Sequence, residues 1–253
     1  MLNEFDLTGK LAIVTGGNGG IGRGIAVGLA RAGADIVIAA RNQEKTAKVA
    51  EEIRGLKRRC LGIRCDATNR DDIRTTIETT LREFGKLNIL VNNAGIAGGG
   101  PPQSIPEEVW DSVLDTNLKA AFLFSQAVFP ALAEAGGGKI INIGSEYSIF
   151  GSARVLPYSA SKGGVIQMTK SLAVAWAGDN IQVNAIVPGW IRTDMTANVI
   201  SDEAWYQTIV QRTPTGRFGE PDELAGAAIF LASPASDFIT GQSIVVDGGY
   251  AVA

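Results

Sequence analysis

Tyr158 and Lys162 stand four residues apart in the run Tyr158-Ser159-Ala160-Ser161-Lys162. On a helix that spacing puts a phenol and an ammonium on one face, one turn apart. Far upstream, Thr15-Gly16-Gly17-Asn18-Gly19-Gly20-Ile21-Gly22 forms a glycine-rich run. Between a strand and a helix, such a turn seats a pyrophosphate. Together the two signals imply a proton donor held beside a bound dinucleotide, an arrangement suited to moving a hydride on and off a carbonyl carbon. The chain contains no histidine. A Ser-His-Asp triad, a Cys-His pair, a His-ligated zinc and a His general base are therefore excluded, and proton transfer falls to Tyr, Lys or a carboxylate. No metal site is expected.

These groups need elements to position them. Short apolar runs at Leu11–Val14, Ile36–Ala39, Leu61–Cys65, Leu87–Val91, Lys139–Ile143, Ile181–Val187 and Ser243–Val246 read as strands. Helical patterns lie between them, at 21–32, 43–54, 69–83, 107–114, 117–134, 158–177 and 221–232. Strand and helix alternate to the end. The strands are apolar throughout, as expected when both faces are covered. The predicted fold is α/β, a doubly wound parallel sheet (Rossmann fold) of about seven strands with helices on both faces, in a single domain over residues 1–253.

The chain of 253 residues is 45% hydrophobic with a net charge of -3. That suffices for a well-buried core and offers no concentrated basic face for nucleic acid or a membrane surface. No apolar stretch is long enough to span a bilayer, and the acidic start lacks an export core. Cys60 and Cys65 have an odd separation in one predicted strand, which puts them on opposite faces and prevents a mutual bridge. A reduced, cytoplasmic protein is expected. Two helices are unusually apolar: 117–135 carries only Lys119 and Glu134 as charges, and 158–177 only Lys162 and Lys170. Their outer faces are expected to be covered by another subunit.

In the glycine-rich turn, Gly16 and Gly20 would let the backbone approach a phosphate, and Gly22 would let helix and strand pack closely. At the end of the second strand, where a carboxylate would bind the ribose hydroxyls of NAD, stand Ala40 and Arg41. A guanidinium pairs with a 2′-phosphate, so NADP(H) is the preferred cofactor. NAD(H) stays possible, because an exposed arginine can also stack on adenine without discriminating. Asp66 follows the third strand, either as a partner for the adenine amino group or as a turn or cap residue. Asn92-Asn93-Ala94-Gly95 follows the fourth, with Asn92 suited to joining neighbouring strand ends.

The chain resembles the short-chain dehydrogenase/reductase family along nearly its whole length. Thr15–Gly22 matches the family's TGxxxGxG loop, Asn92–Gly95 its NNAG, and Tyr158–Lys162 its YxxxK. Ser145 lies thirteen residues before the tyrosine, Asn117 occupies the family's helix-borne asparagine position, and Pro188-Gly189 and Val246–Gly249 match a turn and tail. The resemblance implies Tyr158 as acid–base, with its phenolate favoured by the Lys162 charge, and Ser145 bonded to the substrate oxygen. It implies Asn117 holding a water that links Lys162 to solvent. Implied cofactor contacts are Gly16, Asn18, Gly20, Ile21 and Gly22, then Arg41, Asp66 and Ala67. Asn93, Ala94 and Gly95 follow, with Tyr158, Lys162, Pro188, Gly189, Ile191 and Thr193. It also implies a homotetramer.

The substrate is expected from two variable stretches. The loop Glu146–Leu156 offers Glu146, Tyr147, Phe150 and Arg154, and the loop Trp190–Thr213, which resembles the family's mobile lid, offers Trp190, Met195, Trp205 and Tyr206. Apolar and aromatic residues with a few polar ones suit a small ligand. Overall appearance points to a sugar, polyol or aldonate-like carbonyl or alcohol. A 3-oxoacyl-carrier-protein reductase is one alternative, and a non-catalytic dinucleotide sensor is another.

Overall fold

The computed structural model describes residues 3–253. Seven parallel strands form one sheet: β1 (Leu11–Thr15), β2 (Asp35–Ala40), β3 (Cys60–Arg64), β4 (Ile89–Asn92), β5 (Gly138–Ile143), β6 (Ile181–Pro188) and β7 (Ser243–Val246). Their order is β3-β2-β1-β4-β5-β6-β7. The chain therefore reverses its direction of growth between β1 and β4, and there the loops at the carboxyl edge diverge to leave a crevice.

Nine helices are present among the described residues. They are α1 (Gly20–Arg31), α2 (Gln43–Gly55), α3 (Arg70–Phe84), α4 (Glu107–Leu114), α5 (Ala120–Glu134), α6 (Leu156–Trp176), α7 (Ala197–Ser201), α8 (Glu203–Arg212) and α9 (Ala225–Ala232). Strand residues alternate between two apolar layers, which is why the runs are apolar throughout. Ala12, Val14, Ile36 and Ile38 pack with α1, α2 and α9 through Ile25, Leu29, Val49, Ile53 and Leu231. Leu11, Ile13, Val37 and Ala39 pack with α3 and α5 through Ile73, Ile77, Phe124 and Val128. Each fully buried Leu or Ile contributes about 1.5–3 kcal/mol, far above a surface ion pair, so this double sandwich holds the strand ends in place. Cys60 enters the first layer and Cys65 the second, and both are free.

Three segments differ from the sequence reading. Helix 117–134 begins instead at Ala120, after a wide π turn at Asp115–Lys119 that continues α4. The segment 221–232 splits into a 3-10 turn, Pro221–Leu224, and α9. The stretch read as a loop, Trp190–Thr213, contains α7 and α8. Val199, Ile209 and Phe218 close a small apolar cluster of their own there. Its apolar positions are too few for a long periodic signal, so only the tertiary cluster reveals them.

The outer faces of α5 and α6 are not covered within the chain. Phe122 is 40% exposed and Val174 83% exposed, so no inner layer of the same chain buries them.

Candidate active site

A cleft of about 1040 Å³ runs along the carboxyl edge of the sheet, from Arg41 at one end to Trp205 at the other. Every residue expected at the cofactor or reaction centre lines it except Asn117, which lies just behind the wall.

The nucleotide half starts at the turn after β1. Gly16 has φ 62, a left-handed conformation that favours glycine. A Cβ at Gly22 would overlap the Gly16 carbonyl oxygen and the Asn93 amide, so only glycine lets α1 approach β4 so closely. Asn93 braces this turn. Its Nδ2 donates to the Thr15 oxygen at 2.9 Å and the Gly16 oxygen at 3.2 Å. The Asn93 and Ala94 backbone N–H groups donate to Thr15 Oγ1. α1 has Gly19 at its N-cap, with no side-chain cap and no acidic residue in its first turn. By contrast Asn42 caps α2 and Asn69 caps α3 with their side chains. The uncapped positive end of α1, opening on a glycine cradle, fits a pyrophosphate.

Around the rim, Asn18 Nδ2 ties the turn to α2 by donating to the Asn42 oxygen and Thr46 Oγ1. Arg41 is exposed beside them. Asp66 Oδ1 accepts from the Thr68 N–H and hydroxyl, which hold its carboxyl below the usual range, so it serves as a turn residue as well as lining the cleft. Lys45, not singled out from sequence, reaches across the mouth to Asp194 at 2.8 Å. No local pattern links residues so far apart. Thr193 caps the turn Asp194–Thr196, and its side chain would touch a Cβ placed on Gly20. The Ile191 side chain turns into the core beneath.

The residues expected at the reaction centre lie where the loops after β5 and β6 face α6. Ser145 follows β5 and caps the turn Glu146–Ser148. Ser148 Oγ, in turn, donates to the Lys162 carbonyl and locks this loop to α6. Ser145 and Tyr158 line the same stretch of the cleft, and the Ser145 hydroxyl favours the Tyr158 phenolate. Tyr147 meets Tyr158 edge-on, 6.1 Å between centroids. Asn117, carried inward by the π turn, accepts from Ile96 N at 2.8 Å and donates to the Ile96 oxygen and Ser161 Oγ. Its amide is a brace between the β4 loop and α6. Asn92 joins β4 to β5 through Asn142 Oδ1 at 2.8 Å.

Lys162 departs from expectation. It is 4% exposed, and its Nζ donates to the Ile143 carbonyl at 2.7 Å. Burial pulls it down to about 8. The Nζ sits 5.7 Å from the Tyr158 ring centroid. Burial dominates the phenol and raises it, with the Ser145 hydrogen bond opposing and Glu146 adding to the rise. The ammonium is thus not the main influence on the phenol among the protein groups, and desolvation outweighs it. Glu146, next to Ser145, is also buried, and burial with the neighbouring Asp247 pushes it up to about 8. As single exposed-looking positions in a loop, neither Glu146 nor Trp190 had a local signal of burial.

A seven-stranded parallel sheet with a glycine cradle at its switch point, and a Ser-Tyr-Lys cluster along the same edge, defines a dinucleotide-dependent oxidoreductase. The chain belongs to the short-chain dehydrogenase/reductase family and is an NAD(P)-dependent enzyme of that family acting on CH–OH groups. A family model described as enoyl-(acyl carrier protein) reductase matches residues 16–251. The chain is 43% identical over 251 residues to 2-dehydro-3-deoxy-D-gluconate 5-dehydrogenase of Escherichia coli, covering 99% of this chain and 98% of that protein. It is 38% identical to the 3-oxoacyl-[acyl-carrier-protein] reductase of Thermotoga maritima, covering 97% and 99%. The crystal structure of a gluconate 5-dehydrogenase from Burkholderia cenocepacia in complex with NADP and tartrate superposes with a TM-score of 0.95. Its identity is 40%, with 100% of this chain and 99% of that one covered.

Proposed function

We propose that the chain, as one domain, interconverts a secondary alcohol and a ketone on a sugar acid, an aldonate and its keto form, with NADP(H) as the preferred cofactor. The observation that carries this reading is the Ser145–Tyr158 pair lining the same cleft as the uncapped start of α1. The sugar-acid relatives support the substrate class.

In this reading the Gly20, Ile21 and Gly22 N–H groups hold the pyrophosphate over the Gly16 turn, Asn18 ties that turn to α2, and Arg41 holds the 2′-phosphate. Asp66 and Ala67 border the adenine, and Asn93, Ala94 and Gly95 form the floor. Pro188, Gly189, Ile191 and Thr193 flank the nicotinamide. The bound dinucleotide supplies or accepts the hydride. Ser145 orients the substrate oxygen, and Tyr158 gives that oxygen its proton during reduction and takes it back during oxidation. The positive charge of Lys162 steadies the phenolate left behind. Asn117 keeps the β4 loop fixed against α6. The exposed Phe122 and Val174, with Phe238 and Val245 near the sheet edge, support a homotetramer, and the two free cysteines support a cytoplasmic location.

The test is a panel of 5-keto-D-gluconate, other ketoaldonates and simple ketones with NADPH and NADH, and gluconate with the oxidised forms. Reduction of ketoaldonates with NADPH favoured is the expected result. Equal or better use of NADH removes the Arg41 role. No turnover of any carbonyl overturns the reading. Similarity to the Thermotoga protein favours a second substrate, a 3-oxoacyl thioester, which belongs in the same panel. Light scattering at four times the 26.5 kDa chain mass is expected, and a monomer overturns the assembly.

A further inference from the structure

Four buried side-chain polar atoms have no protein partner among the described residues: Asn92 Oδ1, Glu146 Oε1, Ser159 Oγ and Trp190 Nε1. Buried polar groups are nearly always paired, so each needs a reason. Asn92 and Ser159 lie outside the cleft. Glu146 and Trp190 both line its substrate half, on either side of Gly189. The Glu146 carboxyl reaches this wall because Gly189 has no side chain, and a Cβ there would stand 2.7 Å from Oε1. Tyr147, Trp205 and Phe218 fix the Trp190 ring by aromatic contacts at 5.7–6.5 Å.

We propose that the Glu146 carboxyl and the Trp190 indole N–H form a polar subsite that binds a hydroxyl group beside the reacting carbonyl, selecting polyhydroxylated ketones over simple ones. This rests on the oxidoreductase reading above and deepens its substrate class. Glu146 lines the cleft with Tyr158 and is close enough to raise its phenol, so its carboxyl lies near the place of the substrate oxygen. An indole N–H only donates, whereas a carboxylic acid both donates and accepts. A substrate hydroxyl can pair with either group. A simple ketone leaves both unpaired, which is a strong basis for rejection.

The acid form also matters for an anionic substrate. Asp247, from the segment after β7, faces Glu146, but both its oxygens are taken by the Gly249 and Ala251 N–H groups. Its charge and burial disfavour ionisation of Glu146, and Arg212 from α8 opposes them. Tyr147 and Tyr158 complete the surroundings and stay neutral, both being raised. A neutral Glu146 accepts a sugar carboxylate nearby, whereas an ionised one repels it.

The experiment compares wild type, Glu146→Met, Glu146→Gln and Trp190→Phe on 5-keto-D-gluconate and cyclohexanone with NADPH, with calorimetry of D-gluconate binding to the NADP-loaded enzyme. Glu146→Met should lower kcat/KM for 5-keto-D-gluconate about 10- to 100-fold, chiefly through KM, and change cyclohexanone by less than about threefold. Trp190→Phe keeps the aromatic packing and should cost roughly three- to tenfold on the hydroxylated ketone alone. Glu146→Gln should retain most activity and abolish the rise in wild-type KM above a pH of about 8. Lys162 titrates in the same range in both proteins, so the difference between them belongs to Glu146. Equal losses on both ketones mean a structural role and overturn the proposal, as does no loss on either or a wild-type preference for cyclohexanone. If neither ketone is reduced, the oxidoreductase reading fails on its own account. Calorimetry then decides the subsite: weaker gluconate binding in Glu146→Met sustains it, and unchanged or absent binding overturns it.

Discussion

The two ends of the cleft are built by different means. The nucleotide end consists of glycine backbone, an uncapped helix start and amides whose bonds go to protein, as with Asn18 and Asn93. The substrate end consists of aromatic rings and buried polar atoms without partners, Glu146 Oε1 and Trp190 Nε1. The nucleotide end offers free main-chain N–H groups on a frame braced by Asn18 and Asn93. In the proposal above, the substrate end offers side-chain atoms that a hydroxylated substrate would pair. The first depends on main-chain geometry and short spacings, and the second on which side chains several distant segments bring together.

Removing the phenol breaks the chemistry while leaving both ends intact. Tyr158→Phe should lower kcat about 10²- to 10⁴-fold with the dissociation constant for NADPH unchanged, as read by nucleotide fluorescence. Parallel loss of nucleotide binding would show that Tyr158 shapes the cleft instead. Gly22→Ala attacks the nucleotide end, where its methyl meets backbone. It should cost about 1–3 kcal/mol in denaturant unfolding and weaken nucleotide binding before any effect on substrate preference. Unchanged stability and binding would show that α1 can yield there. Arg41→Ala should raise KM for NADPH roughly tenfold and leave NADH nearly unaffected, since a guanidinium–phosphate pair needs the 2′-phosphate. Equal effects on the two cofactors would assign Arg41 to adenine stacking.

Glu146→Gln sharpens the contrast through stability. Glu146 is pushed up from 4.5 to about 8 in the folded protein, so the fold holds a proton that the unfolded chain releases between those values. Fewer protons on the unfolded chain mean that stability falls as pH rises through this window. The wild-type Tm should therefore drop by about a few degrees relative to Glu146→Gln between a pH of about 5 and about 8. Equal slopes would place an ionised Glu146 in contact with water.

Much of the nucleotide end was legible in the sequence. The seven strands, the turn from Thr15 to Gly22 and the Tyr158–Lys162 spacing are local patterns, and the sheet places them along one edge, whereas Ser145 was marked only by the family resemblance. The helices α7 and α8 were missed because each buries a single apolar residue, Val199 and Ile209, which carries too little periodicity. The π turn that aims Asn117 at Ile96 changes no residue type and leaves no pattern. The Lys45–Asp194 bridge joins positions 149 residues apart.

Residue types and spacings alone determined the doubly wound sheet, the glycine cradle and the Tyr-Lys face, because backbone sterics and side-chain periodicity act within a few residues. Burial was decided only by the assembled fold. Desolvation depends on everything packed around a group, and it raised Tyr158 and Glu146 and lowered Lys162 in ways that no spacing encodes.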